Sequence, residues 1–183
     1  MPASSDVLVV YATTHGHTAK VAARLAQALR EDGVSVDVQD IGSAARLTPS
    51  HYDGVIVGGS VHGGHHQHEI VEWTKHHARS MNGIPSAFFS LSLTAADDTE
   101  ESRRATRDYI DEFLDDTGWV PGKTASFAGA LQYREYDFVT RLVMRVLMRR
   151  GEHPTDITRD FDYTDWEAVD RFGHECARLL ARP

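Results

Sequence analysis

Three threonines and a glycine follow the first apolar run of the chain. The apolar run covers residues 7–10, and Thr13, Thr14, Gly16 and Thr18 come after it, where a segment rich in helix-forming residues begins. In such a strand–loop–helix unit, free backbone N–H groups point at the helix entrance, where the helix dipole favours an anion. The threonine hydroxyls add further donors. The pattern predicts an anion site, with an ordinary capped turn as the alternative.

The kind of anion is narrowed by residues that the loop lacks. A P-loop NTPase needs a lysine directly before the Ser/Thr at the end of the loop, and none is present. A dinucleotide-binding fold needs G-x-G-x-x-G, whereas Gly16 is alone here. What remains, Thr-x-x-Gly-x-Thr, resembles the phosphate loop of flavodoxins, which holds the terminal phosphate of FMN with hydroxyls and backbone amides. The absence of Lys and Arg between Tyr11 and Thr18 agrees with a phosphate site without a fixed cation.

A second glycine-rich loop, residues 58–64, follows the third predicted strand. Glycines let backbone N–H and C=O groups approach the edge of a flat ring such as a flavin, and a flexible loop is the alternative. Six histidines lie in or after this loop: His62, His65, His66, His68, His76 and His77. Neither an HExxH motif nor a cysteine set accompanies them, which disfavours a metal site. They predict a solvated loop face, with His65 as the candidate for a contact with flavin or substrate or for proton transfer.

The composition is that of a globular protein. Of 183 residues, 41% are hydrophobic and 25% charged, and the net charge of −8 argues against a general nucleic-acid binder. The single cysteine, Cys176, excludes an intrachain disulfide framework and is interpreted as a filler on the last helix. Residues 1–6 hold no apolar segment typical of a secretory signal, and no apolar run approaches the roughly 20 residues of a membrane span. We expect one cytoplasmic domain over residues 1–183.

Predicted strands and helices alternate along the chain. The pattern predicts strands at residues 34–38, 52–60, 86–93 and 124–133 besides the first, and helices at 18–30, at 69–81 and after a capping box at 164–167. A further helix, capped by Asp98 or Thr99 and continuing through Asp116, is predicted to bury Tyr109, Ile110, Phe113 and Leu114. This order predicts an α/β, flavodoxin-like fold with a five-stranded parallel sheet of order 2-1-3-4-5 and helices on both faces. A ligand should bind outside the carboxyl ends of the strands, where the loops after the first, third and fourth strands converge.

One segment, about residues 135–163, exceeds what five strands need. Residues 138–150 have helical periodicity, with an apolar face formed by Leu142, Val143, Val146 and Leu147. Arg141, Arg145 and Arg149 form a basic stripe at intervals of four. The plain interpretation of this amphipathic helix is that it packs its apolar face on the domain and leaves the arginines in solvent.

Several stretches together carry a more specific pattern. They are SAFFSLSL at residues 86–93, AGALQY at 128–133, the basic helix, Thr-Asp at 155–156 and YTDWE at 163–167. From residue 7 to residue 180 the chain resembles the HemG-type protoporphyrinogen oxidases, which are flavodoxin-like, quinone-linked enzymes of haem synthesis.

The resemblance implies FMN as cofactor, protoporphyrinogen IX as substrate and a membrane quinone as electron acceptor, with six electrons removed in three two-electron steps. It implies that three loops bind FMN, through Thr13, Thr14, His15, Gly16, His17, Thr18, Ser60, Val61, His62, Gly63, Gly64, His65, Ser90, Leu91, Ser92, Leu93 and Thr94. Given these partners, we expect Arg141, Arg145 and Arg149 to face the substrate or an anionic membrane, with the protein peripheral on the inner face of the cell membrane. The oligomeric state stays open, a homo-oligomer included.

The chain departs from this family at one point. His62 and Gly63 stand where an arginine and an aromatic residue usually precede the glycine matching Gly64. The missing ring removes the argument for aromatic stacking from this loop and bears on substrate choice and redox potential. Two other functions stay open: a flavodoxin-type electron carrier, against which the inserted segment argues, and an NAD(P)H-linked quinone reductase, for which no dinucleotide fingerprint is present.

Overall fold

A computed structural model describes residues 6–44, 46–131 and 161–180 of the chain. The strands are β1 (Asp6–Tyr11), β2 (Ser35–Asp40), β3 (Gly54–His62), β4 (His65–His66), β5 (Ser86–Ser92), β6 (Lys123–Ala128), β7 (Ala130–Leu131) and β8 (Phe161–Asp162). The helices are α1 (His17–Glu31), α2 (Ile41–Ala44), α3 (His68–Met81), α4 (Glu100–Thr117) and α5 (Trp166–Leu180). Short 3₁₀ turns lie at Pro49–His51 and Leu93–Ala96.

Five parallel strands form the central sheet in the order β2-β1-β3-β5-β6. Counting these parallel strands along the chain gives 2-1-3-4-5, so the predicted order is confirmed. The order reverses direction at β1, which pairs with β2 on one side and β3 on the other. The carboxyl ends of β1, β3 and β5 therefore lie side by side at one edge of the sheet.

Alternating residues of β1 show why the sheet is covered on both faces. Val7 and Val9 pack in one core cluster with residues of α1 and α5, and Leu8 and Val10 pack in a second cluster with residues of α3 and α4. All four side chains are 0% exposed. A strand buried on both faces has a continuous apolar sequence, because each face contacts a helix layer. The prediction of helices on both faces is confirmed.

The predicted third strand, residues 52–60, is wrong at both ends. β3 begins at Gly54 and continues to His62, where it turns back to pair with β4 as an antiparallel hairpin. Gly63 and Gly64 form the turn with φ values of +60° and +92°. Positive φ at both central residues is the type I′ arrangement that suits a two-residue hairpin, and glycine adopts it without strain.

The predicted fifth strand, residues 124–133, is wrong in its second half. β6 ends at Ala128, and β7 pairs with β8 in a separate antiparallel sheet. At Gly129 the chain leaves the main sheet: its N–H donates to the Ser92 carbonyl oxygen at 3.0 Å, and its own carbonyl accepts from the Tyr163 N–H at 3.4 Å.

The predicted capping box of the last helix is also wrong. Asp165 Oδ1 accepts the Ala168 N–H at 2.9 Å, so Asp165 caps α5. The Thr164 hydroxyl instead donates to the Ala128 carbonyl oxygen at 2.9 Å. The predicted helix over residues 138–150, with Arg141, Arg145 and Arg149, lies outside the described residues, as does most of the segment 135–163.

Candidate functional site

Loops after β1, β3 and β5 enclose a cavity of about 420 Å³ at the carboxyl edge of the sheet. The predicted place of the ligand site is therefore a cavity, and its volume falls in the usual range for small-molecule sites. The lining residues are Thr13, Thr14, His15, His17, Thr18, Ser60, Val61, His62, Gly63, Gly64, Leu91, Ser92, Leu93, Thr94, Tyr109, Gly129 and Ala130.

Three of the predicted binding residues do not line the cavity. Gly16 contributes its backbone instead, with φ of +80° immediately before α1. Ser90 is 1% exposed, and its hydroxyl bonds to His66 Nε2 at 2.8 Å. His65 lies on the far strand of the hairpin, where its Nδ1 is 2.7 Å from Glu112 Oε1. The roles of these residues and of the lining residues in binding stay predictions.

The first loop is shaped by its own hydroxyl groups. Thr13 Oγ1 accepts the Gly16 N–H at 2.9 Å, which turns the loop into the first turn of α1. No carboxylate, lysine or arginine lines the cavity in the described part of the chain. An anion held here would meet hydroxyl groups and the N-terminus of a 15-residue helix, which is an electropositive environment without a fixed cation.

His17 connects this loop to the segment between β8 and α5. Its Nε2 lies 2.7 Å from Thr164 Oγ1. Because the single hydroxyl proton of Thr164 goes to Ala128 O, His17 must donate its Nε2–H to that oxygen. Burial lowers the pKa of His17, while the Asp162 carboxylate opposes this effect. His17 thus holds the start of α1 against the segment between β8 and α5.

Gln67, which the sequence did not single out, connects the first two loops. Its Oε1 accepts the Ser60 N–H at 3.0 Å, and this fixes the orientation of the amide. Its Nε2 then donates to Ser60 Oγ at 2.6 Å and to Thr14 Oγ1 at 3.4 Å. One side chain therefore sets the spacing between the end of β3 and the loop after β1.

His66 and His62 occupy different environments although they are only four positions apart in the sequence. His66 packs against Phe88 and Phe113, with ring centroids 5.5 and 5.0 Å away, and burial lowers its pKa to about 4. His62 lies at the cavity mouth, with Nε2 3.1 Å from Ser60 Oγ. Local desolvation and the neighbouring His15 lower the pKa of His62.

Tyr109, Gly129 and Ala130 line the cavity but were not predicted to do so. The periodicity of α4 places Tyr109 beside Ile110 and Phe113 in a predicted core, yet Tyr109 is only half-buried. Gly129 and Ala130 follow β6 at the same sheet edge, so the topology rule alone could have indicated them. The combined arrangement suits a ligand with an anionic end and a flat, partly apolar body.

Comparisons with known proteins agree with this geometry. The family model of the flavodoxin domain matches residues 8–158. The fold is similar to oxidised flavodoxin 1 from Bacillus cereus, with a TM-score of 0.58 and 18% identity over 95% of this chain and 98% of that chain. A short-chain flavodoxin associated with a bacterial microcompartment gives a TM-score of 0.60 at 15% identity, over 97% of this chain and 99% of that chain. These two likenesses show the fold.

Two relatives are much closer in sequence. The protoporphyrinogen IX dehydrogenase (quinone) of Escherichia coli strain K12 is 34% identical over 176 residues, which are 96% of this chain and 97% of that protein. The protein of the same name from Leishmania major is 35% identical over 182 residues, which are 98% of this chain and 78% of that protein. The similarity therefore includes the cavity loops, the inserted segment and the last helix.

Proposed function

The chain belongs to the flavodoxin-like family of quinone-dependent protoporphyrinogen IX dehydrogenases, and we propose that it oxidises protoporphyrinogen IX to protoporphyrin IX with FMN as cofactor and a quinone as electron acceptor. The observation that carries this proposal is a sequence identity of 34%, over an alignment that covers 96% of the chain, with an enzyme of that name. The cavity at the carboxyl edge of the sheet is where such a cofactor would bind.

The donor chemistry of the cavity fits FMN. The hydroxyls of Thr13, Thr14 and Thr18 and the N-terminus of α1 would hold its phosphate. The backbone of residues 60–64 and 91–94 would contact its ring, and Tyr109 offers an aromatic wall. FMN, when bound, supplies a two-electron acceptor, which no side chain of this cavity provides.

The chain itself keeps the cavity loops in place. Ser92 Oγ accepts the Ala95 N–H at 3.2 Å, which fixes the turn after β5. Gln67 fixes the distance between Ser60 and Thr14. Loops fixed by side-chain hydrogen bonds bind a ligand with less loss of conformational entropy, so they favour a defined position of the reacting ring.

An anaerobic assay tests the function directly. The FMN-loaded protein is mixed with protoporphyrinogen IX, and loss of the oxidised-flavin absorbance is followed, after which ubiquinone or menaquinone analogues are added. We expect reduction by the porphyrinogen and reoxidation by a quinone. Reduction by NADH or NADPH alone would support a quinone reductase. Exchange of electrons with a redox protein, without porphyrinogen oxidation, would support an electron carrier.

We further propose that the inserted segment touches an anionic membrane, on the inner face of the cell membrane, and the carboxylates of the substrate. None of the helices in the described ranges combines the length and apolarity needed to cross a bilayer. The support comes from the sequence: Arg141, Arg145 and Arg149 lie four apart beside an apolar face, and each basic residue near anionic lipid adds about 1 kcal/mol.

Replacing these three arginines with glutamine tests the membrane proposal. We expect weaker and less salt-sensitive binding to anionic liposomes and a higher KM for the porphyrinogen, with FMN affinity unchanged. The matched control changes three exposed arginines elsewhere, Arg79, Arg104 and Arg107, to glutamine and alters the net charge equally. Equal liposome binding and KM in both triple variants would show that the segment is structural.

A further inference from the structure

Oxidation of a porphyrinogen requires a proton acceptor as well as an electron acceptor. In each two-electron step the substrate loses a hydride equivalent from carbon and a proton. Over the three steps, two of these protons come from pyrrole nitrogens and one comes from a bridging carbon. A side chain that takes a proton in the transition state needs a pKa near or below the working pH and a position within hydrogen-bond reach of the substrate. Within the described part of the chain, no carboxylate lines the cavity. Its titratable lining residues are His15, His17, His62 and Tyr109.

Contacts of the other histidines near the cavity engage them elsewhere. His17 donates Nε2–H to Thr164 and is 8% exposed, so its ring is part of the α1 anchor. His65 pairs with Glu112 and does not line the cavity. His66 bonds to Ser90, packs against the rings of Phe88 and Phe113, and does not line the cavity. These contacts occupy the three rings, and of the three only His17 lines the cavity.

His62 combines access to the cavity with a fixed ring. Its Nε2 lies 3.1 Å from Ser60 Oγ, and the side chain is exposed at the mouth. Ser60 is itself fixed, since Gln67 accepts its N–H and donates to its Oγ. A hydroxyl oxygen has two lone pairs, so Ser60 can accept from both Gln67 Nε2 and His62 Nε2 while its own proton serves a ligand.

We propose that His62 is a catalytic residue of this chain, which accepts at Nδ1 the proton that protoporphyrinogen loses, and that Ser60 and Gln67 are positioning residues that hold its ring. The inference rests on the proposed function. The pyrrole N–H bond, or in one of the three steps the C–H bond of a bridging carbon, breaks and the His62 Nδ1–H bond forms. The hydride equivalent goes to the FMN of that function, and its two electrons leave with the quinone. The proton then leaves Nδ1 for solvent at the exposed mouth.

The charges around His62 agree with this role. The His15 ring lies edge-on at a centroid distance of 6.0 Å, His65 is opposite His62 in the hairpin register, and His66 is opposite Val61. Desolvation and His15 lower the pKa of His62, so the imidazole is neutral at pH 7 and able to accept a proton.

His62→Gln tests the proposal, with His76→Gln on the exposed face of α3 as the matched control. Rates are measured by anaerobic stopped-flow reduction of the FMN-loaded protein at saturating porphyrinogen between pH 5 and 8. For His62→Gln we expect a fall of about a hundredfold at pH 7 and loss of the acid limb of the pH profile. His62→Ala should regain rate when imidazole is added. A fall under tenfold, a retained acid limb or no rescue overturns the proposal.

Two measurements without turnover separate a chemical role from a structural one. The dissociation constant of FMN, from quenching of flavin fluorescence, should change less than threefold in His62→Gln. In the protein without cofactor, ¹⁵N spectra of labelled histidine should show neutral His62 protonated on Nε2. Protonation on Nδ1 overturns the assignment. If the unmodified chain fails to oxidise porphyrinogen, the proposed function fails and this inference with it; a normal unmodified chain with an unaffected His62→Gln variant refutes the inference alone.

Discussion

The neutral imidazole of His66 makes the stability of this protein sensitive to acid. The pKa of His66 falls from 6.5 to about 4 because its ring is desolvated where it packs against Phe88 and Phe113, with smaller effects from His62 and His65. The unfolded chain therefore binds a proton at a higher pH than the folded chain does. The stability that neutral His66 contributes is complete above pH 6.5 and is lost as the pH falls from 6.5 towards 4.

We expect His66→Gln to reduce this pH dependence, because glutamine can still bond to Ser90 but does not titrate. Between pH 8 and pH 5 the unmodified protein should lose about 2 kcal/mol more of its free energy of unfolding than the variant does. Urea unfolding at both pH values measures the difference. His76→Gln, which changes an exposed ring, should retain the pH dependence of the unmodified chain. Equal losses in all three proteins would contradict the assignment to His66.

At single residues, sequence patterns predicted contacts between residues close in the sequence better than contacts between residues distant in the sequence. The threonines of the first loop line the cavity, as their spacing before a helix indicates. The sequence analysis chose His65 as the candidate for a contact with flavin or substrate, and nothing local in the sequence shows that the hairpin turns His65 towards Glu112. Gln67 has no motif at all. Its importance comes from Thr14, 53 positions away in the sequence.

The contact between α1 and α5 depends on a glycine inside a helix. A Cβ at Gly173 would lie 2.6 Å from the Ala28 Cβ and 3.2 Å from the Leu25 carbonyl oxygen. Such a separation is shorter than two carbon atoms can tolerate, so the helices must move apart. The absent side chain therefore sets how closely α5 packs on α1.

We expect Gly173→Ala to lower the free energy of unfolding by about 1–3 kcal/mol, because overpacking exceeds the gain of about 1 kcal/mol from helix propensity. Urea titration measures it. Adding Ala28→Gly to the Gly173→Ala chain removes the opposing Cβ. The double variant should therefore lose less free energy of unfolding than the sum of the losses in the two single variants. A stabilised Gly173→Ala protein would show that the helices separate without cost.

Helices and strands with a clear hydrophobic periodicity were predicted from the sequence. Elements that form only by pairing with residues distant in the sequence were not. The apolar stripes of α1, α3 and α4 and the apolar run of β1 determine their type without further information. β7 exists because β8, about 30 residues later in the chain, pairs with it. Thr164 fits the sequence of a helix cap, but its hydroxyl donates to the carbonyl of Ala128 in β6, and Asp165 caps the helix instead.

At the scale of the whole molecule, the strand order places the binding loops together at one edge. Because β1, β3 and β5 are neighbours in the sheet, the loops that follow them meet although they lie far apart in the sequence. A ligand held by all three loops would be bound by the folded chain and not by the unfolded one. Its binding free energy then adds to the stability of the whole domain, by about 4.1 kcal/mol when its concentration is 1,000 times its dissociation constant.

Thermal unfolding with added flavin nucleotides tests this linkage. At 1,000 times the dissociation constant, FMN should raise the Tm of the apoprotein by roughly 8–16 °C, since about 1 kcal/mol shifts a protein of this size by 2–4 °C. FAD at the same concentration as FMN should give less than a quarter of that shift, because its bridging phosphates do not present a terminal phosphate to the loop of Thr13 and Thr18. Equal shifts with both nucleotides would contradict a site for a terminal phosphate.

Replacing Thr13 and Thr18 together by alanine identifies the loop that holds the phosphate. Each hydrogen bond to a charged group contributes about 1.5–3 kcal/mol, so affinity for FMN should fall at least about a hundredfold. At the same FMN concentration the added stability then falls to about 1.4 kcal/mol or less.

The comparison uses the FMN-induced shift and not the Tm itself, because Thr18 is 1% exposed and its loss also weakens the apoprotein. Thr48→Ala with Thr124→Ala, at exposed positions outside the cavity, is the matched control and should keep the full shift. A full shift in the Thr13/Thr18 variant would place the phosphate away from the N-terminus of α1.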